Sequence, residues 1–279
     1  MHLDPNLRPP RESAMPATMP VALTIAGSDP SGGAGIQADL KTFHQFGVYG
    51  EAAITLLTVQ NTTSVSRVQV MSPGMVTDQV HAVIRDIRPN AAKTGALGSP
   101  EMIAAIAVEA SKFEFPLVVD PVMISKHGAH LMAGASLEVL CSLLLPLCAL
   151  VTPNLYEAAE LTGMEITDVA GMRIAAARIA EMGAGAVLVK GGHLTEEARD
   201  ILFVDNTYHE FPSERIDTPH THGTGCTYSA AITACLARGM QLPVAVAVAK
   251  RYITEAIRSN PGLGDGQGPV NHFAPTGLS

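Results

Sequence analysis

The sequence predicts a doubly wound α/β domain, a mostly parallel sheet sandwiched between two layers of helices, with antiparallel strands added at the edge. Three observations predict it. Short β-branched runs such as VALTIA and PLVVDPV lack polar alternation, which marks strands buried on both faces. Longer amphipathic stretches separate them and supply the right-handed crossovers that parallel strands need. Each segment rich in glycine or chemically loaded side chains directly follows a strand, where such sheets bind ligands.

The elements follow in chain order. VALTIA (21–26) is the first strand, and a Gly-rich turn leads into a helix over 36–46. AAITLLTVQ is the second strand. Met75, Val76, Val80, Val83, Ile84 and Ile87 fall at helical spacing and place a helix over 73–87. AAKTG is a short strand, followed by a helix near 99–113. PLVVDPV (116–122) is the next strand, then a helix over 134–146 and the strand ALVTPN. Helices over 155–162 and 169–182 precede the strand AVLVKGG. DILFVDN and TYHEFPS form a hairpin, and two helices, about 224–239 and 243–258, close the domain.

Residues 1–20 are Pro-rich and polar, the composition of a disordered extension rather than a signal peptide, and Met15 or Met19 could serve as the start. The domain therefore spans 21–273, with 274–279 as a loose tail. The 279 residues are 47% apolar with a formal net charge of -8. That acidity argues against nucleic acid or an anionic membrane as partner, and the apolar stretches are too short and Pro-broken to span a bilayer. The four cysteines show no metal spacing, so reduced thiols in a cytoplasmic protein are expected.

GSDPSGGAG (27–35) reads equally as a tight strand–helix turn or as a loop whose glycines let backbone N–H groups approach a ligand. Asp39, in the following helix, reads first as an acid complementing the helix dipole. Gly223, Thr224, Gly225 and Cys226 open a helix of small residues. Glycines at a helix start expose N–H groups that suit an oxyanion or phosphate, and the same field favours a thiolate at Cys226; this functional reading outweighs a plain turn. Cys141, Cys148 and Cys235 have core surroundings. Asn154 and Glu157 form a capping-box pattern, and the same pair could serve a Mg²⁺ through water. Asp120 ends a buried strand, where an unpaired carboxylate would be costly, so it should face a site or a metal shell. Lys190 ends another strand and could meet a triphosphate or simply face solvent. His193 reads as a polar loop residue.

Taken together, LTIAGSDPSGGAGIQADLKTF, VQNT, KTGALG, DPVM, TPNLYEAAELTG, VLVKGGH, HGTGCTYSAA and GQGPVNHF resemble the hydroxymethylpyrimidine/phosphomethylpyrimidine kinases of thiamine biosynthesis, over about Val21 to Phe273. These belong to the ribokinase-like superfamily, close to pyridoxal kinase. The resemblance implies a ribokinase-like three-layer α/β/α sandwich and phosphorylation, from ATP with Mg²⁺, of 4-amino-5-hydroxymethyl-2-methylpyrimidine and then of its monophosphate. It implies pyrimidine contacts at Gly27, Asp39, Gln60, Ala96 and Val122, and a magnesium–phosphate side at Asp120, Asn154, Glu157 and Lys190, with Asp120 and Glu157 reaching Mg²⁺ via water or phosphate. It also implies an anion hole at Gly223–Cys226 with Cys226 as base, and a homodimer. Two positions depart from the family. Ala96 stands where a methionine usually lies under the ring, and His130 follows Lys126 and Gly128 in a loop placed to cover the nucleotide. Pyridoxal kinase activity, or a binding protein without turnover, are the alternative readings.

Overall fold

The computed structural model describes residues 19–123, 134–192 and 198–278. Lys126, Gly128, His130, His193 and the first 18 residues lie outside the described residues. The strands are β1 (Val21–Ser28), β2 (Tyr49–Gln60), β3 (Val65–Val70), β4 (Ala91–Thr94), β5 (Leu117–Val119), β6 (Leu150–Val151), β7 (Ala186–Val189), β8 (Asp200–Val204) and β9 (Thr207–Phe211). The helices are α1 (Gly35–Gln45), α2 (Pro73–Asp86), α3 (Pro100–Ala110), α4 (Ala135–Val139), α5 (Leu155–Thr162), α6 (Val169–Glu181), α7 (Thr224–Ala237) and α8 (Leu242–Arg258).

One sheet runs in the order β3-β2-β1-β4-β5-β6-β7-β8-β9. Strands β2, β1, β4, β5, β6 and β7 are parallel, and β3, β8 and β9 each pair antiparallel with the preceding strand in the chain order of their edge. Antiparallel strands therefore occur at both edges rather than one. The strand β3 was not expected from sequence, because VSRVQV carries a polar side chain at every second or third position and stays largely exposed. The order reverses around β1, which places a ligand crevice at the carboxyl ends of β1 and β4.

The sheet separates two cores. One packs α2, α3, α5 and α6 through residues such as Val76, Ile103, Ile106, Met172 and Ile179. The other packs α1, α7 and α8 through Phe43, Ile232, Val246 and Tyr252. Ala230, Ala231 and Ala234 let α7 lie close against the strands. Helix starts are set locally: Ser72, Ser99 and Asp168 each accept a backbone N–H from the first turn they cap. The helix expected over 134–146 is broken into α4, a π turn at Leu140–Leu144 and a 3-10 turn at Leu145–Leu147. Pro146 cannot donate to the helical ladder and ends it. The strand expected over 116–122 keeps only three residues, because Pro121 likewise has no donor for a ladder.

Pro20 and residues after 273 make contacts where looseness was expected. Pro20 O accepts the N–H of Tyr49. Ala274 is buried and its carbonyl accepts from Gln45 Nε2, while Leu278 packs against the α1–α7–α8 core. Among the described residues, no helix is long and apolar enough to cross a membrane.

Glu51 on β2 is buried, and its Oε2 has no hydrogen-bond partner among the described residues. Burial, aided by the charge of Asp86, pushes its carboxyl up to about 7 from 4.5. The folded chain therefore binds a proton that the unfolded chain has released, and stability falls as pH rises from about 4.5 through 7. Glu51→Gln should stabilise the protein by roughly 1–3 kcal/mol at pH 8 and have little effect at pH 4.5. Thermal unfolding at the two pH values checks this; an equal shift at both would mean that ionisation is not involved.

Candidate active site

The carboxyl ends of six strands and the start of α7 enclose a cavity of about 680 Å³. Gly27 (β1), Gln60 (β2), Ala96 (after β4), Asp120 and Val122 (after β5), Asn154 and Glu157 (after β6) and Lys190 (after β7) all line it. Gly223, Thr224, Gly225 and Cys226 complete it. Segments up to 163 residues apart in the chain, from Gly27 to Lys190, thus converge because each ends or follows a strand of one parallel set.

One end of the cavity is polar and charged. Lys190 Nζ donates to Asp120 Oδ1 at 3.1 Å, and Asp120 also accepts from Thr152 Oγ1 at 3.3 Å and Ser229 Oγ at 3.1 Å. Lys190 is therefore no solvated strand end. Burial works against both charges, yet each holds the other ionised: Lys190 keeps the Asp120 carboxyl below the usual carboxylate range, and Asp120 and Glu157 keep the Lys190 ammonium above its usual range. A Cβ added at Gly225 would meet only Lys190 Nζ at 3.5 Å and Asp120 Oδ2 at 3.8 Å. The space over Gly225 is thus framed by a cation and a carboxylate. No side chain caps α7, so its first N–H groups can serve an anion.

Asn154 and Glu157 form a complete capping box, with Asn154 N–H donating to Glu157 Oε2 at 2.8 Å and Glu157 N–H to Asn154 Oδ1 at 2.9 Å. The structural reading of the pair holds, and both residues also face the cavity. Burial pushes the Glu157 carboxyl up to about 7 against the opposing charge of Lys190. Among the described residues there is no group of three or more His, Cys, Asp or Glu that could hold a metal ion. Asp120 and Glu157 both line the cavity and present carboxylate oxygens, the donor type that a Mg²⁺ takes.

Two expectations need correction. Asp39 is neither a first-turn acid nor a wall of the cavity. It is fully buried in the second turn of α1, paired with Lys93 at 2.6 Å and accepting from Thr24 Oγ1 at 2.6 Å. Cys226 is half-buried, and burial pushes its thiol up to about 11, outweighing the pull of Lys93 and of the Gly35 N–H. The group is a thiol at neutral pH, not a thiolate. Cys148 and Cys235 are buried and Cys141 packs at the edge of the core, as expected.

The loop at 27–35 folds around its own carboxylate. Asp29 accepts from the N–H groups of Ser31 at 2.8 Å, Gly33 at 3.2 Å and Ala34 at 2.8 Å, from Ser31 Oγ, and from His222 Nε2 at 2.7 Å. Burial opposes this charge, but His222, Ser31 and Gln60 hold the carboxyl far below its usual value. The loop N–H groups that lead into α1 are thereby used internally instead of on a ligand. Gly223 (φ 76°) explains the second loop: a Cβ there would lie 1.7 Å from Gly33 O. Its glycine lets the two loops touch. Asp29, His222 and Lys93 were not singled out from sequence. The available signals were a carboxylate directly after a strand before Pro-Ser-Gly, a histidine abutting GTGC, and a lysine inside a strand.

A parallel sheet widened by antiparallel edges, with a Gly-rich helix start facing its carboxyl ends beside a buried Lys–Asp pair, is the ribokinase-like arrangement. The family model described as phosphomethylpyrimidine kinase matches residues 29–271. The hydroxymethylpyrimidine/phosphomethylpyrimidine kinase of Synechococcus elongatus is 46% identical over 259 residues, covering 92% of this chain and 98% of that protein. The thiamine biosynthesis bifunctional protein ThiED of Geobacter sulfurreducens is 51% identical over 253 residues, 90% of this chain but 52% of that longer protein, so this chain spans about half its length. Among solved structures, an ADP complex of Bacillus subtilis pyridoxal kinase superposes with a TM-score of 0.86 at 40% identity, covering 92% of this chain and 98% of that one. The chain belongs to the phosphomethylpyrimidine kinase family.

Proposed function

We propose that the protein phosphorylates 4-amino-5-hydroxymethyl-2-methylpyrimidine from ATP, and then phosphorylates the resulting monophosphate to the diphosphate, in thiamine biosynthesis. The observation that carries the reading is the convergence, in one cavity, of the uncapped α7 start, the Lys190–Asp120 pair, Gln60 and Val122. The named activities of relatives covering nearly the whole chain agree with it, and the ADP bound by the Bacillus subtilis pyridoxal kinase supports a nucleotide on the phosphate side.

In this reading Gln60 recognises the pyrimidine edge, since a carboxamide both donates and accepts. Lys190 and the N–H groups of Gly225 and Cys226 hold the transferring phosphoryl group and balance its charge as the hydroxymethyl oxygen attacks in line. Cys226 takes the proton from that oxygen. Because its thiol sits near 11 in the free protein, Cys226 accepts only in the fraction that has already lost its own proton to solvent, and the transfer comes late, when the attacking oxygen has become acidic by bonding to phosphorus. Asp120 and Glu157 would hold a Mg²⁺ through water, and the ion would supply charge neutralisation. The proposal includes a cytoplasmic homodimer. The exposed apolar side chains Leu57, Val59 and Val68 on the β2–β3 edge agree with a covered surface there.

Parallel turnover assays with hydroxymethylpyrimidine, its monophosphate and pyridoxal test the reading. Consumption of pyridoxal alone would overturn it. Pyridoxal remains the second reading because Ala96 is half-exposed to the cavity and leaves room for a bulkier ring. Ala96→Met should restore a polarisable thioether against the ring and shift kcat/KM toward the pyrimidine by about 1–3 kcal/mol, the usual worth of size discrimination in an apolar pocket. If the ratio of the two kcat/KM values does not move that way, Ala96 does not contact the ring.

A further inference from the structure

The segment GQGPVNHF (266–273) has no part in the chemistry described so far, and none of its residues lines the cavity. It is anchored to α8, where Asn271 N–H donates to Ala256 O at 2.9 Å and Tyr252 Oη donates to His272 O at 3.1 Å. At its start, Gly266 N–H donates to Thr62 Oγ1 at 3.3 Å and Gln267 N–H to Thr62 O at 2.8 Å. Thr62 stands two residues after Gln60, in a turn stiffened by Asn61, whose Oδ1 accepts the N–H groups of Thr63 at 2.9 Å and Ser64 at 3.0 Å. In its middle, Gly268 O accepts the N–H of His222 at 3.0 Å, and Val270 N–H donates to His222 O at 3.4 Å. His222 directly precedes Gly223. Near its end, His272 Nε2 and Thr227 Oγ1 are hydrogen-bonded at 3.1 Å, one residue past Cys226.

Each of these contacts falls on or beside a residue that lines the cavity, and together they divide between two of its walls. Packing of a chain end onto the domain needs only apolar side chains, whereas these are hydrogen bonds of set length and direction. We propose that Gly266–His272 is a positioning strap that fixes the spacing between the wall carrying Gln60 and the wall carrying Gly223–Cys226. It acts through Thr62 on the first and through His222 and Thr227 on the second. The proposal deepens the kinase reading and rests on it. Its most sensitive point is Gly266, where an added Cβ would lie 2.2 Å from Thr62 O. The atom struck is backbone, so the turn and the strap must separate by about 1 Å to reach van der Waals distance.

The test is steady-state kinetics of the full-length protein with hydroxymethylpyrimidine and ATP varied separately. Gly266→Ala should lower kcat/KM for the pyrimidine by about 10–100-fold, the effect of a misplacement of that size, and leave KM for ATP unchanged. Thr62→Ala, which removes the hydroxyl that accepts from Gly266, should raise KM for the pyrimidine to a smaller degree, and Thr62→Ser should keep the wild-type value. A strap that only stabilised the domain would lower kcat through loss of active protein and move neither KM. That outcome, or equal weakening toward ATP and the pyrimidine, overturns the proposal. If Gly266→Ala does not fold, Thr62 decides alone: the same pyrimidine KM in the alanine and serine variants overturns it. A wild type that consumes pyridoxal alone would instead overturn the pyrimidine reading, and the same comparison run on pyridoxal then decides the strap.

Discussion

Cys226→Ala is expected to fold normally and to lose turnover by ~10²–10⁴-fold, the usual worth of a general base. Normal folding follows from position: the side chain sits half-buried at the mouth of the α7 start, and alanine removes one sulfur atom from a wall of the cavity rather than from a packed core. Cys226→Asp should recover part of the lost rate, because a carboxylate is favoured at a helix N-terminus and Lys93 and Lys190 stand near it. Recovery should be incomplete, since Asp39 and Asp120 raise the cost of a further negative charge there. Steady-state turnover with thermal unfolding as a control reads both variants. Unchanged turnover in the alanine variant would remove Cys226 from the mechanism.

Lys190→Met should lose both turnover and stability. It breaks a pair in which the Asp120 side chain is 3% exposed and the Lys190 side chain 14%. Removing one partner of a buried pair typically costs about 3–5 kcal/mol, because the other charge is left uncompensated. Asp120 gives the effect its pH dependence. Its carboxyl lies below 3.8 in the folded protein, so its contribution is present above that pH and disappears as pH falls through the depressed folded value. The gap between wild type and variant should therefore be widest near pH 7 and narrow on acidification. Adding Asp120→Asn to Lys190→Met should restore much of the stability but not the turnover. Urea midpoints at several pH values check this, and a gap independent of pH would mean that the pair is not its origin.

Much of the architecture was legible because the parallel strands advertise themselves: AVLV and VALTIA have no polar face to present to water. The exception, β3, is an edge strand whose VSRVQV pattern resembles a polar loop, and only its pairing with β2 defines it. At the site, residues that directly follow strands were found, since position along the chain predicts position at the crevice. What stayed hidden were partnerships across sequence. Asp39 and Lys93 are 54 residues apart and Asp29 and His222 are 193 apart, and no local pattern records such pairs. The thiol of Cys226 was misjudged for the same reason: the helix start is visible in GTGC, but the burial that outweighs its field comes from elsewhere in the fold.

The internal use by Asp29 of the loop that leads into α1 gives the cavity a direction. Two glycine-rich loops meet at one place, but in one of them the N–H groups of Ser31, Gly33 and Ala34 are already taken by the chain's own carboxylate, whereas the first turn of α7 has no side-chain cap. In the proposed reading a negatively charged group is berthed at α7 beside Lys190, and the substrate heads reacting oxygen first toward it. For a reaction that runs twice on one molecule, the longer, once-phosphorylated substrate in that reading keeps the same heading. It then backs out along the same axis by the phosphate it has gained, and the distance between Gln60 and the α7 start becomes the ruler that both proposed rounds share.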